Sequence, residues 1–570
     1  MSGVNPEAIK SQASFWSRYG PWLVTAAVAG GAAAYSLYKE LKADVGERNE
    51  AKSKSTRNSA LSPTSSSSAV ELSLPYRDTS GAMDLNSDEL MGKMTLRDID
   101  WDGKRVLVRT DFNVVVENGV IEDTIRIDQA IPTLKYLLNK KGPLGGPRCV
   151  VIISHLGRPA GDFDRKKYSL QPIVGYLEEC LGRKVEFWPD CVGEDLEQRT
   201  KTCEMGTVIL CENLRFHIEE VGKGIVDGKE VTAKPEDIIA FREKLSRLGD
   251  VFVFEAYGAA HRPHSSVVGI SIPERAAGLA MGREMAVYAH LLRPRPKPQE
   301  IEVNVPEFSD PDTSASREGA VRFVSKKILR RPDGPYVVVI GSPMKVTDRV
   351  SVIKRWVEHA DEIIITGGMA FTFKTVMNHG FRLGKTPVDV DAFKDVKEIV
   401  QRANELGVKL HLPTDHCIAQ GLSPDAAIGV TTDEMGIPDG WIALDVGPRS
   451  RARFSQLITR AKTVVWVGTV GCFEWGAFAG GTIALLQDLV EATKRGGFTV
   501  IAGGDAGAAA RMFTVGGKYA CEQVSYVSSG GGSSLVLMEG KLLHGAAHLT
   551  DKPTRRQSSL STSQSDTADQ

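Results

Sequence analysis

Cys149-Val-Val-Ile-Ile-Ser154-His155-Leu-Gly-Arg158-Pro159 is an apolar run that gives way, within one residue, to a polar and basic turn. Residues 149–153 show no alternation of apolar and polar side chains, the pattern of a parallel strand covered on both faces. In open parallel sheets, ligands bind beyond the carboxyl ends of the strands. A histidine and an arginine at that end therefore read as ligand-binding groups.

The same arrangement recurs along the chain. A first set of apolar runs adds Arg105-Val-Leu-Val-Arg109, Val208-Ile-Leu-Cys211 and Val251-Phe-Val-Phe254. A second set is Tyr336-Val-Val-Val-Ile340, Glu362-Ile-Ile-Ile365, Val464-Val-Trp466 and Phe498-Thr-Val-Ile501. Amphipathic stretches over 348–360 and 482–494 supply helical partners. Together these predict an α/β fold of two doubly wound, Rossmann-like parallel-sheet lobes joined by a hinge. The first lobe spans 91–292 and the second 336–532. Between them, residues 293–335 carry Pro294, Pro296, Pro298, Pro306 and Pro311, and read as a linker or surface insertion rather than core.

The two sets of strand ends differ in chemistry. Those of the first lobe continue into Asp111-Phe-Asn113, Ser154-His155-Leu-Gly-Arg158, Glu212-Asn-Leu-Arg215 and Glu255-Ala-Tyr-Gly-Ala-Ala-His261-Arg262, with Arg126 following the first. In a chain of net charge −1 there is no global pull on anions, so an anion site must be a local cluster of this kind. Arginine forks and histidines converging on one cleft edge suit phosphate and carboxylate. The same balance of charge gives no reason to expect a nucleic-acid partner.

Strands of the second lobe end in glycine. They give Gly341-Ser-Pro-Met-Lys345-Val-Thr-Asp-Arg349, Thr366-Gly367-Gly368, Gly468-Thr-Val-Gly-Cys-Phe-Glu474, Gly503-Gly504-Asp505 and Ser528-Ser-Gly-Gly-Gly532. Such turns expose backbone N–H groups at helix N-termini, which suits nucleotide phosphates. Asp505 is placed to hold Mg²⁺, and Glu474 to accept from ribose hydroxyls. No G-x-x-x-x-G-K-[ST] loop and no G-x-G-x-x-G at the first strand of either lobe occur, which disfavours Walker-type NTPases and NAD enzymes. An anion lobe facing a nucleotide lobe across a hinge implies phosphoryl transfer by domain closure.

Outside the lobes, residues 21–38 form a stretch of eighteen residues without a charge, flanked by Trp16, Tyr19 and Trp22 at one end and Tyr35 and Tyr38 at the other. That is near the lower limit for crossing ~30 Å of hydrocarbon, with the aromatic belts of a spanning helix. A single-pass anchor is favoured over a cleaved signal peptide, because no clear small-x-small cleavage site precedes a mature start. An Ala/Gly-rich surface helix is the third reading. Lys39, Lys42, Arg48, Lys52, Lys54 and Arg57 follow the run, so the body would face the cytosol, or an organelle interior such as a microbody. Residues 41–90, with Ser65 to Ser68 at their centre, read as a disordered tether, and 551–570 as a disordered tail. The eight cysteines show no C-x-x-C pair and no zinc-ligand spacing, and read as buried thiols of a reducing compartment.

In this order the motifs Asp111-Phe-Asn113, Ser154-His-Leu-Gly-Arg-Pro159, Glu212-Asn-Leu-Arg-Phe216 and His261-Arg262 resemble phosphoglycerate kinase, over about residues 94–549. The resemblance implies that Asp111, Asn113, Arg126, His155, Arg158, Arg215, His261 and Arg262 bind 3-phosphoglycerate or 1,3-bisphosphoglycerate. Arg126 would also neutralise the phosphoryl group in flight, with Lys345, Arg349, Gly503 and Gly504 as its catalytic partners. Lys345, Arg349, Gly367, Gly368, Glu474, Gly503, Gly504, Asp505 and Ala506 would take ATP or ADP with Mg²⁺. The resemblance also implies a monomeric catalytic body whose residues 533–550 return to the first lobe.

The nucleotide half departs from the family pattern. Ser342-Pro343-Met344-Lys345 stands where the family has Gly-Gly-Ala-Lys, and Pro343 removes a backbone donor. Met344 adds bulk against the expected adenosine. Arg349 replaces a lysine, Val467 an asparagine and Ala506 a threonine, while Glu255 for Asp and Val115 for Pro are milder changes. The rival expectation is therefore a catalytically weak, membrane-tethered sensor or scaffold that binds phosphoglycerate.

Overall fold

The protein, as a computed structural model, is described over residues 90–553, except 118, 140–141, 160–164, 227–228, 297–298, 308–321, 344 and 379. The 21–38 segment, nearly all of the expected tether, residues 554–570 of the tail, and Met344 lie outside the described residues. Among the described residues no helix is long and apolar enough to cross a membrane.

Two six-stranded parallel sheets organise the chain. The first contains β1 (Arg105–Arg109), β2 (Cys149–Ile153), β3 (Glu186–Trp188), β4 (Thr207–Cys211), β5 (Val251–Phe254) and β6 (Glu274–Ala277), ordered β6-β5-β1-β2-β4-β3. The second contains β7 (Tyr336–Ser342), β8 (Glu362–Gly367), β9 (Lys409–His411), β10 (Thr463–Val467), β11 (Phe498–Ala502) and β12 (Tyr526–Val527), ordered β9-β8-β7-β10-β11-β12. Each order reverses direction beside its first strand, and these switch points are where a doubly wound sheet opens a ligand crevice.

Register puts the functional turns at one level. Arg109 pairs with Ile153 of β2 and with Phe254 of β5, so the turns beginning at Thr110, Ser154 and Glu255 leave the sheet side by side. In the second sheet Ser342 pairs with Gly367, and Ile340 with Val467.

Seven helices matter for the site: α1 (Ile125–Asn139), α2 (Leu279–Leu292), α3 (Val350–Val357), α4 (Met369–Met377), α5 (Gly480–Lys494), α6 (Gly504–Met512) and α7 (Gly531–Met538). α1 buries Ile127, Leu134 and Leu137 completely against Val106, Val108 and Ile152 of the first sheet. At about 1.5–3 kcal/mol for each such side chain, that face alone fixes the helix and with it Arg126 at its start.

The other face of the first sheet belongs to an apolar cluster that does not stop at the lobe boundary. It runs from Leu107, Ile153 and Phe254 through Met285, Tyr288 and Leu292 of α2 to Ile340, Trp356 and Ile365 of the second lobe. α2 is thus the spine between the lobes, and its two carboxylate contacts are buried. Glu255 accepts from Ala280 N (3.0 Å), Met281 N (3.2 Å) and Thr133 Oγ1 (2.6 Å) at the helix start. Burial pushes this carboxyl up to about 7, against the hydrogen bonds from Thr133 and the helix. Glu284, further along, accepts from Ser528 Oγ (2.8 Å), Ser529 N (2.8 Å) and Ser529 Oγ (2.9 Å), tying the spine to the segment after β12.

Beyond α7 the chain lies on the first lobe. Gly545 N donates to Ala260 O, Thr550 N to Arg275 O and Met94 N to Thr550 O. The proline-rich stretch differs from a plain linker: Gln299–Glu307 and Arg322–Arg330 form an antiparallel two-stranded ribbon, Gln299 opposite Arg330 and Glu307 opposite Arg322. A two-stranded ribbon has free edges that accommodate proline, which explains why Pro306 does not exclude a strand there. A second antiparallel sheet, unforeseen in the sequence, joins Asp415–Ala419, Ile428–Thr432 and Ile442–Val446 beside the nucleotide lobe.

Candidate active site

The acid half of the site is built at the β1/β5 switch point and on the neighbouring turns. Asp111, after β1, accepts from Arg126 Nη1 at 2.6 Å and lies 3.9 Å from His155 Nε2. Asn113 accepts Gly157 N at 2.7 Å, bracing the His155–Arg158 turn, and Arg215 Nη1 donates to Gly157 O at 2.5 Å. Arg158 is exposed, while Arg215 and Arg262 are half-buried at the same edge.

Electrostatically this edge is short of an anion. Burial, then Arg109 and Arg262, press the Arg215 guanidinium down to about 10, and its Nε is buried with no partner among the described residues. His155 is held far below its ordinary value by burial and by Arg109, Arg215 and His264. Burial and the arginines drive His264 down to about 3. Unpaired buried donors among like charges are costly unless something negative satisfies them.

The hydrogen bonds also decide which histidine nitrogen carries the proton. Arg109 Nη2 lies 3.3 Å from His155 Nδ1. Guanidinium has no acceptor, so Nδ1 accepts and the neutral His155 ring carries its proton on Nε2. Arg109 itself is fully buried beneath the site, donating to Ser266 Oγ at 2.8 Å and to the Thr110 carbonyl, with Glu220 Oε1 3.8 Å away. Arg109, Glu220, His264 and Ser266 were not among the expected site residues. A charge closing the apolar run 105–109 was the one available signal, since it could not be buried unpaired.

The nucleotide half sits at the β7/β10 switch point. Here backbone meets backbone: a Cβ on Gly341 would stand 1.9 Å from Thr469 O, and one on Gly468 2.0 Å from Gly341 O. Only glycine permits that approach. The loop carrying Lys345 is held by Asp389, whose Oδ2 accepts from Val346 N (2.9 Å), Thr347 N (3.0 Å) and Thr347 Oγ1 (3.0 Å). Burial opposes the Asp389 charge, yet these bonds keep its carboxyl below the usual range. Asp389 is not marked by any local pattern, because its contact with Val346 and Thr347 spans some forty positions.

Lys345 is exposed, Arg349 is half-buried, and the Arg349 Nε has no hydrogen-bond partner among the described residues. Gly503 precedes α6 as its N-cap, Gly504 opens it, and Asp505 stands exposed in its first turn. Apart from its chain neighbours and its own helix backbone, no atom of the described residues lies within 4 Å of a Cβ built on Gly504, so the helix N-terminus is open to a phosphate. Burial and then Asp505 raise the Glu474 carboxyl. Val467 and Ala506 have their side chains in apolar clusters, so the amide and hydroxyl expected there are absent from the cleft wall.

α7 brings the halves together. A Cβ on Gly531 would stand 3.9 Å from Gly504 N, one on Gly532 2.8 Å from the His261 ring, and one on Gly530 2.2 Å from the Tyr257 ring. Elsewhere Asp190, Cys191 and His217 cluster, unlike anything their spacing suggested. The Asp190 Oδ1–His217 Nε2 distance is 2.6 Å, shorter than two ligands of one tetrahedral zinc at about 2.0 Å bond lengths would keep, so the two groups are hydrogen-bonded to each other. All eight cysteines are free.

Two doubly wound lobes, one ending in arginines and the other in glycine turns around a common helix, define a two-lobed α/β phosphotransferase. A family model described as "Phosphoglycerate kinase" matches residues 96–301 and 320–541. Phosphoglycerate kinase of Dictyostelium discoideum is 41% identical over 469 residues, covering 82% of this chain and all of the relative. Human phosphoglycerate kinase 1 is 40% identical over 463 residues, covering 81% and 99%. The structure of phosphoglycerate kinase from Coxiella burnetii superposes with a TM-score of 0.62 at 28% identity, covering 80% and 98%. The chain belongs to the phosphoglycerate kinase family. Its family match skips residues 302–319, a stretch that begins inside the first strand of the two-stranded ribbon.

Proposed function

We propose that the chain catalyses reversible phosphoryl transfer between Mg-ATP and 3-phosphoglycerate, giving Mg-ADP and 1,3-bisphosphoglycerate, in glycolysis and gluconeogenesis. The observation that carries this reading is the Arg215 environment: a buried guanidinium nitrogen with no partner among the described residues, flanked by Arg109 and Arg262. A phosphate ester with a carboxylate satisfies that deficit better than a neutral ligand.

In the reaction a carboxylate oxygen of the acid forms a bond to the γ-phosphorus as the bridging bond to the β-phosphate breaks. Arg215, Arg262, Arg158 and His261 anchor the acid, and His155 donates from Nε2. Asp111 holds Arg126 at the cleft edge, from which its charge meets the transferring group. Lys345 and Arg349 supply positive charge from the nucleotide side, and the α6 N-terminus offers amides. Such transfer is governed by positioning and electrostatics. Asp505 offers an exposed carboxylate oxygen beside an open helix N-terminus, the donor type Mg²⁺ takes together with nucleotide phosphates, and Mg²⁺ bound there would neutralise phosphate charge.

Placement in the cell is a further proposal, resting on residues 21–38 alone: a membrane anchor with a monomeric body on the cytosolic side, or inside an organelle such as a microbody. Calorimetric titration of the full chain tests the functional reading. Saturable binding of both 3-phosphoglycerate and Mg-ADP is expected; binding of the acid without nucleotide would replace the enzyme by a phosphoglycerate sensor.

A further inference from the structure

Ser533, the third residue of α7, is fully buried. Its Oγ donates to Tyr257 O at 2.5 Å and lies 3.0 Å from His261 Nδ1. A hydroxyl has a single proton, and here the carbonyl takes it, because a carbonyl cannot donate. The remaining contact is satisfied only if His261 Nδ1 carries a proton and donates to Ser533 Oγ. His261 Nε2 is then the nitrogen left with a lone pair. It lies against Gly532, where a built Cβ would stand 2.8 Å from it, so the missing side chain leaves it uncovered.

We propose that Ser533 is a positioning residue for the reaction: it locks His261 as the Nδ1–H tautomer, so that His261 Nε2 takes up the proton that accompanies acid binding. This deepens the phosphoglycerate kinase reading and rests on it. The neighbouring histidine cannot share the task, since Arg109 already occupies His155 Nδ1 as donor and His155 Nε2 carries the proton. The charged and titratable groups around the His261 ring include Arg262, His544, His264 and Asp111, with the Gly258 carbonyl beside it. Burial and Arg262 hold His261 neutral without ligand. A phosphate or carboxylate placed among these groups reverses that balance and protonates Nε2.

The neighbouring hydroxyl of the same helix links the acid site to the spine. Ser534, the next residue, lies 3.2 Å from Tyr257 Oη and 2.7 Å from Ser528 Oγ, which donates to Glu284. The tautomer of His261 is therefore set by the helix that also touches the nucleotide turn at Gly504.

The test is the ¹⁵N spectrum of histidine-labelled full-length protein, with His261 assigned by its loss in His261→Gln. In the ligand-free protein the expected pattern is a proton on Nδ1 and none on Nε2; a proton on Nε2 overturns the proposal. Ser533→Ala should release the lock and give a mixed-tautomer signal, whereas an unchanged pattern overturns it. Losing one neutral hydrogen bond should raise KM for 3-phosphoglycerate about three- to tenfold with kcat little changed. In the His261→Gln background the same Ser533→Ala change should add nothing; full additivity would make Ser533 merely structural. Protonation of His261 on adding 3-phosphoglycerate at pH 7 supports the uptake role. Failure of every histidine to respond rejects the substrate, separately from the ligand-free tautomer.

Discussion

Replacing Glu220 by glutamine should destabilise the first lobe strongly while strengthening its hold on anions. Glu220 is fully buried, accepts Ser266 N and Ser266 Oγ at 2.9 and 2.7 Å, and faces Arg109 Nη2 at 3.8 Å. Burial raises the Glu220 carboxyl and lowers the Arg109 guanidinium, so both partners are strained by desolvation even when paired. Glutamine keeps the size and much of the hydrogen bonding but removes the charge. At an effective dielectric of about 20, two unit charges at this distance interact by about 4 kcal/mol. Leaving one buried charge uncompensated costs about 3–5 kcal/mol, in agreement.

Guanidinium unfolding of Glu220→Gln, followed by tryptophan fluorescence and circular dichroism, should show a loss in that range. A double change, Arg109→Met with Glu220→Leu, should recover much of it, because the desolvation penalty goes with the pair. Titration of Glu220→Gln at low temperature should give tighter 3-phosphoglycerate binding, as Arg109 then adds uncancelled charge beneath the site. A loss below about 1 kcal/mol, the value of an exposed pair, would refute the claim that this buried pair supports the site.

Arg126→Ala should abolish turnover with a modest loss of acid binding; surviving turnover in a coupled assay would remove Arg126 from the transferring phosphate. Pro343→Gly, Arg349→Lys and Ala506→Thr together should raise kcat, since each restores a donor or a compact charge at the nucleotide, and an unchanged kcat would mean the cleft uses another geometry. Glu255 gives a pH test: the unfolded chain releases this proton near 4.5 and the folded one holds it to about 7. The unfolded state thus binds fewer protons in that window, so stability falls between those values by about 3 kcal/mol. Denaturation at pH 5 and pH 8 should show that fall in the native chain and its loss in Glu255→Gln.

The central strands were legible because each is an unbroken apolar run, and those over Arg105–Arg109 and Val251–Phe254 match residue for residue. Edge strands such as Glu186–Trp188 and Tyr526–Val527 are short and half-buried, so they leave no such run. The antiparallel sheet beside the nucleotide lobe was hidden for a related reason: Ile428 and Val430 are exposed there, so apolar residues do not mark a core face. At the site, arginines and histidines at strand ends were readable, as convergence follows from parallel topology. Their supports were not. Glu220 looks like half of a solvated Glu219-Glu220 pair, Asp389 acts across the fold, and Ser533 reads as one more polar residue of a glycine-rich turn. Tertiary contact alone gives these residues their roles.

Steady-state turnover of the full chain with Mg-ATP and 3-phosphoglycerate, coupled to removal of the acyl phosphate, tests the proposed activity most directly. ADP release that requires the acid, saturates in both substrates and disappears in Arg126→Ala is the expected result. ADP release no faster with acid than without it, from a protein that binds the acid, would contradict phosphoryl transfer.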